Sequence, residues 1–222
     1  MGTIIARGGG FDADSEQIWA FVQFVKRCTG KENPNFLLVP TTAFDQVNKG
    51  TLNCYHKLGC SVDTLLLTAD YMTPEIISRK LETADIIEVP GGNLKFTKEV
   101  WEKTGAEELI KKAYLRGAVL TGSSAGAMVW FSRGYDNCGL YDSQMFTPGI
   151  GLIPYAVCPH YDEVFWKSFD VRVHETGLSG VALENGAAYC VMSDGSTQIL
   201  RASGGKKAWF FDAENGYEKR EL

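Results

Sequence analysis

Short apolar runs alternate with helical patterns through the first half of this 222-residue chain, which points to a parallel sheet covered on both faces by helices. Thr3-Ile4-Ile5-Ala6 reads as a strand ending in Gly8-Gly9-Gly10. Ser15 offers an N-cap for a helix whose Ile18, Trp19, Phe21, Val22 and Val25 fall on one face. Phe36-Leu37-Leu38-Val39 and the run from Ser61 to Leu67 are further strands, with a helix from Val47 to Leu58 between them. Thr73 caps a helix that has Pro74 at its first position, and Ile86-Ile87-Glu88-Val89 is the next strand. A charged helix from Ala106 to Arg116, closed by Gly117, feeds the apolar run Ala118-Val119-Leu120. The segment from Arg133 to Pro159 is rich in Gly, Tyr, Asp and Pro and reads mainly as loop. Ser193-Asp194-Gly195-Ser196 lies between two strand-like runs and signals a hairpin, and Ala208-Trp209-Phe210-Phe211 is a last strand. No repeat, low-complexity tract or long linker interrupts the pattern, so one domain over 1–222 is expected.

Composition narrows the function classes. A net charge of −5 argues against a nucleic-acid surface, which carries a basic patch. No apolar run of about eighteen residues exists, and the N-terminus lacks the basic start and apolar stretch of a signal peptide, so a cytoplasmic protein without a membrane partner is expected. The six cysteines form no C-x-x-C pair and read as reduced thiols. His56, His160 and His174 show no metal-ligand spacing, so neither a metal nor another cofactor is expected. The Gly8-Gly9-Gly10 turn tempts a dinucleotide reading, but Ala13 breaks the required glycine spacing.

Directly after Ala118-Val119-Leu120 stands Thr121-Gly122-Ser123-Ser124-Ala125-Gly126-Ala127, a G-x-S-x-G pattern centred on Ser124. Such a turn swings a strand sharply into a helix and lifts the serine hydroxyl clear of the backbone. A hydroxyl attacks only with a base beside it. The plain alternative is a Gly/Ser-rich connection without chemistry. Pro90-Gly91-Gly92-Asn93 ends the preceding strand and, in a parallel sheet, opens at the same carboxyl edge. The N–H groups of Gly92 and Ala125 then form a candidate oxyanion hole. His160, in Pro159-His160-Tyr161, is the best-placed base, since His56 and His174 have polar, surface-like surroundings. Asp136, Asp142, Asp162 and Glu184 all stand open as the carboxylate that fixes its tautomer.

Taken together, Val89-Pro90-Gly91-Gly92-Asn93, the Ser124 turn, Gly151-Leu152-Ile153-Pro154 leading to Pro159-His160-Tyr161, and Ala182-Leu183-Glu184-Asn185-Gly186 resemble the peptidase E family of serine peptidases. That family includes aspartyl dipeptidases and cyanophycinases. The resemblance implies a three-layer α/β, flavodoxin-like fold of the class I glutamine amidotransferase kind, with a mostly parallel sheet and antiparallel C-terminal strands. It also implies a Ser-His-Glu triad carried by Ser124, His160 and Glu184, with Gly92 and Ala125 as the oxyanion hole. The expected activity is exopeptidase cleavage of short peptides through an acyl-enzyme, by a monomer or homodimer. A preference for N-terminal Asp would need a cation in the pocket, for which Arg133 and Lys95 are the nearest basic residues, with Asn93 a further substrate-binding candidate. The segment from Arg133 to Pro148 would border the cleft and limit substrate length. Rivals are an esterase that shares the serine turn and a non-catalytic binding module on the same fold.

Overall fold

Five of the apolar runs form parallel strands: β1 (Ile4–Arg7), β2 (Asn35–Leu38), β3 (Ser61–Thr64), β4 (Ile86–Val89) and β5 (Val119–Ser123). The structure, a computed structural model, describes residues 1–10, 16–138, 143–202 and 206–222. The Ser15 cap and Asp142 lie outside the described residues. In the sheet β1 pairs with β5, β5 with β4, β4 with β2 and β2 with β3. All positions of β1 and β4 are buried, which explains why they read as unbroken apolar runs rather than alternating ones.

Side-chain alternation along these strands divides the core in two. Ile4, Ala6, Leu37, Ile87 and Leu120 pack to one side with helices α3 (Pro74–Thr83), α4 (Leu94–Thr104) and α5 (Ala106–Arg116). Ile5, Phe36, Leu38, Ile86 and Val119 pack to the other with α1 (Glu16–Cys28) and α2 (Lys49–Lys57). Thr73 caps α3 through Ile76 N–H, with Pro74 opening the helix. Helix α4 stands where none is expected above. Its signals were present in Asn93, whose side chain accepts from Phe96 N–H, and in the buried spacing of Leu94, Thr97 and Trp101. The turn after β5 opens only a short helix, α6 (Ala125–Met128).

The reading of Arg133–Pro159 as loop is corrected. This stretch contributes most of β6 (Phe131–Asp136) together with β7 (Met145–Pro148) and β8 (Ile153–Cys158), all in a second sheet. Its prolines misled because they occupy the positions a sheet tolerates. Pro148 ends β7, and Pro154 falls where the β6–β8 register shifts between Phe131–Ile153 and Arg133–Ala156. The second sheet also holds β9 (Gly180–Leu183), β12 (Ala208–Asp212) and β13 (Glu218–Glu221), in the order β13-β12-β9-β8-β6-β7. Between β9 and β12 the chain returns to the first sheet. There β10 (Ala187–Val191) lies antiparallel to β1 and forms the expected Asp194-Gly195 hairpin with β11 (Thr197–Arg201). The architecture is α/β, mostly parallel, with antiparallel C-terminal strands, now divided over two sheets.

Candidate active site

At the end of β5 the backbone of Ser124 is forced to φ 54° and ψ −120°, a conformation that side-chain-bearing residues rarely adopt. Three backbone bonds hold it there. Ser124 N–H donates to Arg7 O at 3.1 Å, and Ser124 O accepts from the N–H groups of Ala127 and Met128, each at 2.9 Å. The flanking glycines make room for so sharp a turn. A Cβ on Gly122 would meet Gly126 O at 2.1 Å, and one on Gly126 would meet Val89 O at 2.0 Å.

His160 reaches the same point from the second sheet, on the loop after β8. It too has positive φ, 53°, and its N–H is fixed on Gly8 O at 2.9 Å. Gly9 is the floor under its ring, since a Cβ there would lie 2.3 Å from His160 Cε1. The neighbouring Tyr161 anchors the loop. Its buried hydroxyl donates to Asp170 and accepts from Lys219, and burial together with the Asp170 carboxylate drives the phenol far above its ordinary range. His160 Nε2 lies 2.9 Å from Ser124 Oγ, within reach for proton transfer.

Glu184 is not the group on the other ring nitrogen. Its carboxylate accepts from Lys207 N–H at 2.9 Å, whereas Asn185 Oδ1 sits 2.7 Å from His160 Nδ1. The third place in the hydrogen-bonded row is therefore corrected from Glu184 to Asn185. Beyond the end of β9 the chain turns, with Ala187 N–H donating to Glu184 O at 3.0 Å, and this turn presents Asn185 rather than Glu184 to the imidazole. A search confined to carboxylates passes over the amide beside them.

A cleft of about 250 Å³ opens over this pair, lined among others by Gly92, Ser124, Met128, Asp136, His160 and Glu163. A larger cavity of about 450 Å³ between α1 and β11 shares no lining residue with it and has no nucleophile. Among the described residues the N–H groups of Gly92 and Ala125 donate no hydrogen bond. Asp136 is buried in the cleft wall, where Cys138 Sγ–H donates to its Oδ2 at 3.6 Å; burial pushes its carboxyl up from the usual range against the pull of nearby backbone N–H groups. The remaining sequence candidates lie elsewhere. The Arg133 guanidinium donates to Ser132 O on an exposed side chain, and Lys95 is exposed on α4. The Asn93 side chain is engaged at both ends, capping α4 and donating to Cys138 O at 3.3 Å.

The sequence matches peptidase family S51 over residues 4–199. The chain belongs to this family. Among relatives of this S51 member is the uncharacterized peptidase YgaJ of Bacillus subtilis (strain 168), 28% identical over 216 residues, 94% of this chain and 91% of that protein. In three dimensions the chain is similar to a protein of Listeria monocytogenes EGD-e provisionally named as a peptidase E, with TM-score 0.68, 18% identity and coverage of 91% of this chain and 100% of the other. It is also similar to a peptidase from an acI-B1 Actinobacterium, with TM-score 0.70, 18% identity and coverage of 100% and 94%. At that identity the likeness concerns the fold. Membership of S51 makes this chain a peptidase by family, and no helix among its described residues is long and apolar enough to cross a membrane.

Proposed function

We propose that this protein is a serine-type peptidase that hydrolyses short peptides through an acyl-enzyme. The observation that carries the reading is the 2.9 Å approach of His160 Nε2 to a serine held on a strained strand-to-helix turn. His160 takes the Ser124 proton as Oγ attacks the scissile carbonyl. The N–H groups of Gly92 and Ala125 receive the developing oxyanion, and His160 then protonates the leaving amine. Water repeats the sequence on the acyl-enzyme. Asn185 accepts from Nδ1–H and orients the ring, in the role expected of Glu184.

The cleft's chemistry bears on the substrate. Its described lining carries two carboxylates, Asp136 and Glu163, and no lysine or arginine. That favours the free α-ammonium of a short peptide over an acidic N-terminal side chain, so the expected Asp preference draws no support from Arg133 or Lys95. A fluorophosphonate probe separates the proposal from the binding-module alternative. Wild type should label at Ser124, and Ser124→Ala should lose labelling and about six decades of turnover with its fold intact. Turnover of that variant within tenfold of wild type ends the proposal. A panel of dipeptides beside short-chain esters separates peptidase from esterase.

A further inference from the structure

Two carboxylates hold the Asn185 amide, Asp162 away from the cleft and Glu163 at its lining. Asp162 Oδ1 accepts from Asn185 backbone N–H at 2.8 Å and from Asn185 Nδ2 at 3.0 Å. Glu163 Oε1 accepts from the same Nδ2 at 3.1 Å. A primary amide has one N–H₂ group and one carbonyl oxygen. With its hydrogens committed to carboxylates, the oxygen has one direction left, and it faces His160 Nδ1.

That orientation decides the chemistry. With Oδ1 against Nδ1, the ring proton sits on Nδ1 and the Nε2 lone pair faces Ser124. An amide turned over would present N–H₂ to Nδ1 and select the opposite tautomer, whose Nε2 cannot accept the serine proton. Asp162 is the stronger of the two clamps. Its one oxygen binds both backbone and side chain of Asn185, its other oxygen lies 3.7 Å from Lys206 Nζ, and its side chain is 30% exposed against 53% for Glu163. We infer that Asp162 is a positioning residue: it locks the Asn185 amide in one orientation and thereby sets the tautomer of His160. The Asp162 charge thus stands one amide away from the imidazole, while Glu163 Oε1 lies 3.5 Å from Nδ1 itself. The kinetic consequences rest on the serine peptidase reading; the tautomer does not.

A charge exchange tests this. Asp162→Ala should lower kcat by at least about tenfold with KM nearly unchanged, and the ¹⁵N spectrum of His160 should lose its Nδ1–H signature. Asn185→Asp should be similarly impaired, since it sets a third carboxylate against Asp162 and Glu163 with no N–H between them. The double variant Asp162→Asn/Asn185→Asp restores an amide-to-carboxylate contact in reverse. Because Glu163 still faces the new carboxylate, kcat should rise severalfold above either single variant without reaching wild type, a coupling that independent structural damage does not produce. The inference is overturned if Asp162→Ala keeps the Nδ1–H tautomer, or if the double variant is no better than the poorer single one. Should wild type fail to label with fluorophosphonate, the catalytic reading falls, while the His160 spectrum still decides the role of Asp162.

Discussion

Ser124 and His160 both sit at positive φ with full side chains, and both are pinned to the end of β1, one on Arg7 O and the other on Gly8 O. Such backbone states cost about 1–3 kcal/mol each and persist where the surroundings dictate them. Ser124→Gly should therefore raise stability by about 1 kcal/mol, since glycine takes that conformation without strain, while abolishing turnover. Chemical denaturation of the variant beside Ser124→Ala checks this; a glycine variant no more stable than the alanine one would show that the turn is not strained. Most of the site was legible at this scale. The glycine spacing around Ser124 specifies a tight turn, and Pro159 before His160 places that histidine at a strand end. Asn185 was not legible, because its role depends on how the turn after β9 presents Glu184 and Asn185 to a histidine from another strand.

Beneath the turn, an ion pair ties together the two strands that flank β5. Arg7 at the end of β1 pairs with Glu88 of β4, with side chains only 10% and 5% exposed, and Tyr55 of α2 donates to Glu88 at 3.4 Å. Burial pushes the Glu88 carboxyl up, against the opposing pull of Arg7. Removing the arginine leaves the Glu88 carboxyl buried without its cation, so Arg7→Ala should cost about 3–5 kcal/mol, whereas Arg7→Met with Glu88→Leu should lie much nearer wild type. Urea midpoints of the three proteins decide it, and equal loss in single and double variants would mean that the pair itself supplies the stability. Nothing in the strand patterns announces this contact. Arg7 and Glu88 look like surface charges at strand ends until the order β1-β5-β4 brings them together. Elements with strong local signals, such as α5 with its Gly117 stop or the Asp194-Gly195 hairpin, were readable. The strands β6, β7 and β8 were not, since short strands rich in glycine and proline are defined by their pairing rather than by their own pattern.

At the scale of the whole molecule, the order of motifs foretold the α/β architecture, but pairing between distant strands decides that there are two sheets. Ser124 belongs to the first sheet; His160 follows β8 and Asn185 follows β9 in the second. The two meet along the opening glycines, where Gly8 O accepts from His160 N–H and Gly9 O accepts from Gly186 N–H at 2.7 Å. A slip of about one ångström between the sheets would draw His160 away from Ser124, a proton-transfer contact of 2.9 Å, without melting either sheet. Mild urea should thus silence turnover at a lower concentration than it reduces far-UV ellipticity, and coincident transitions would contradict this. On the proposed mechanism, turnover serves as a gauge of alignment. Any crosslink or bound molecule that stiffens the seam between the sheets should widen the range of conditions over which the enzyme works, even where it leaves the melting temperature alone.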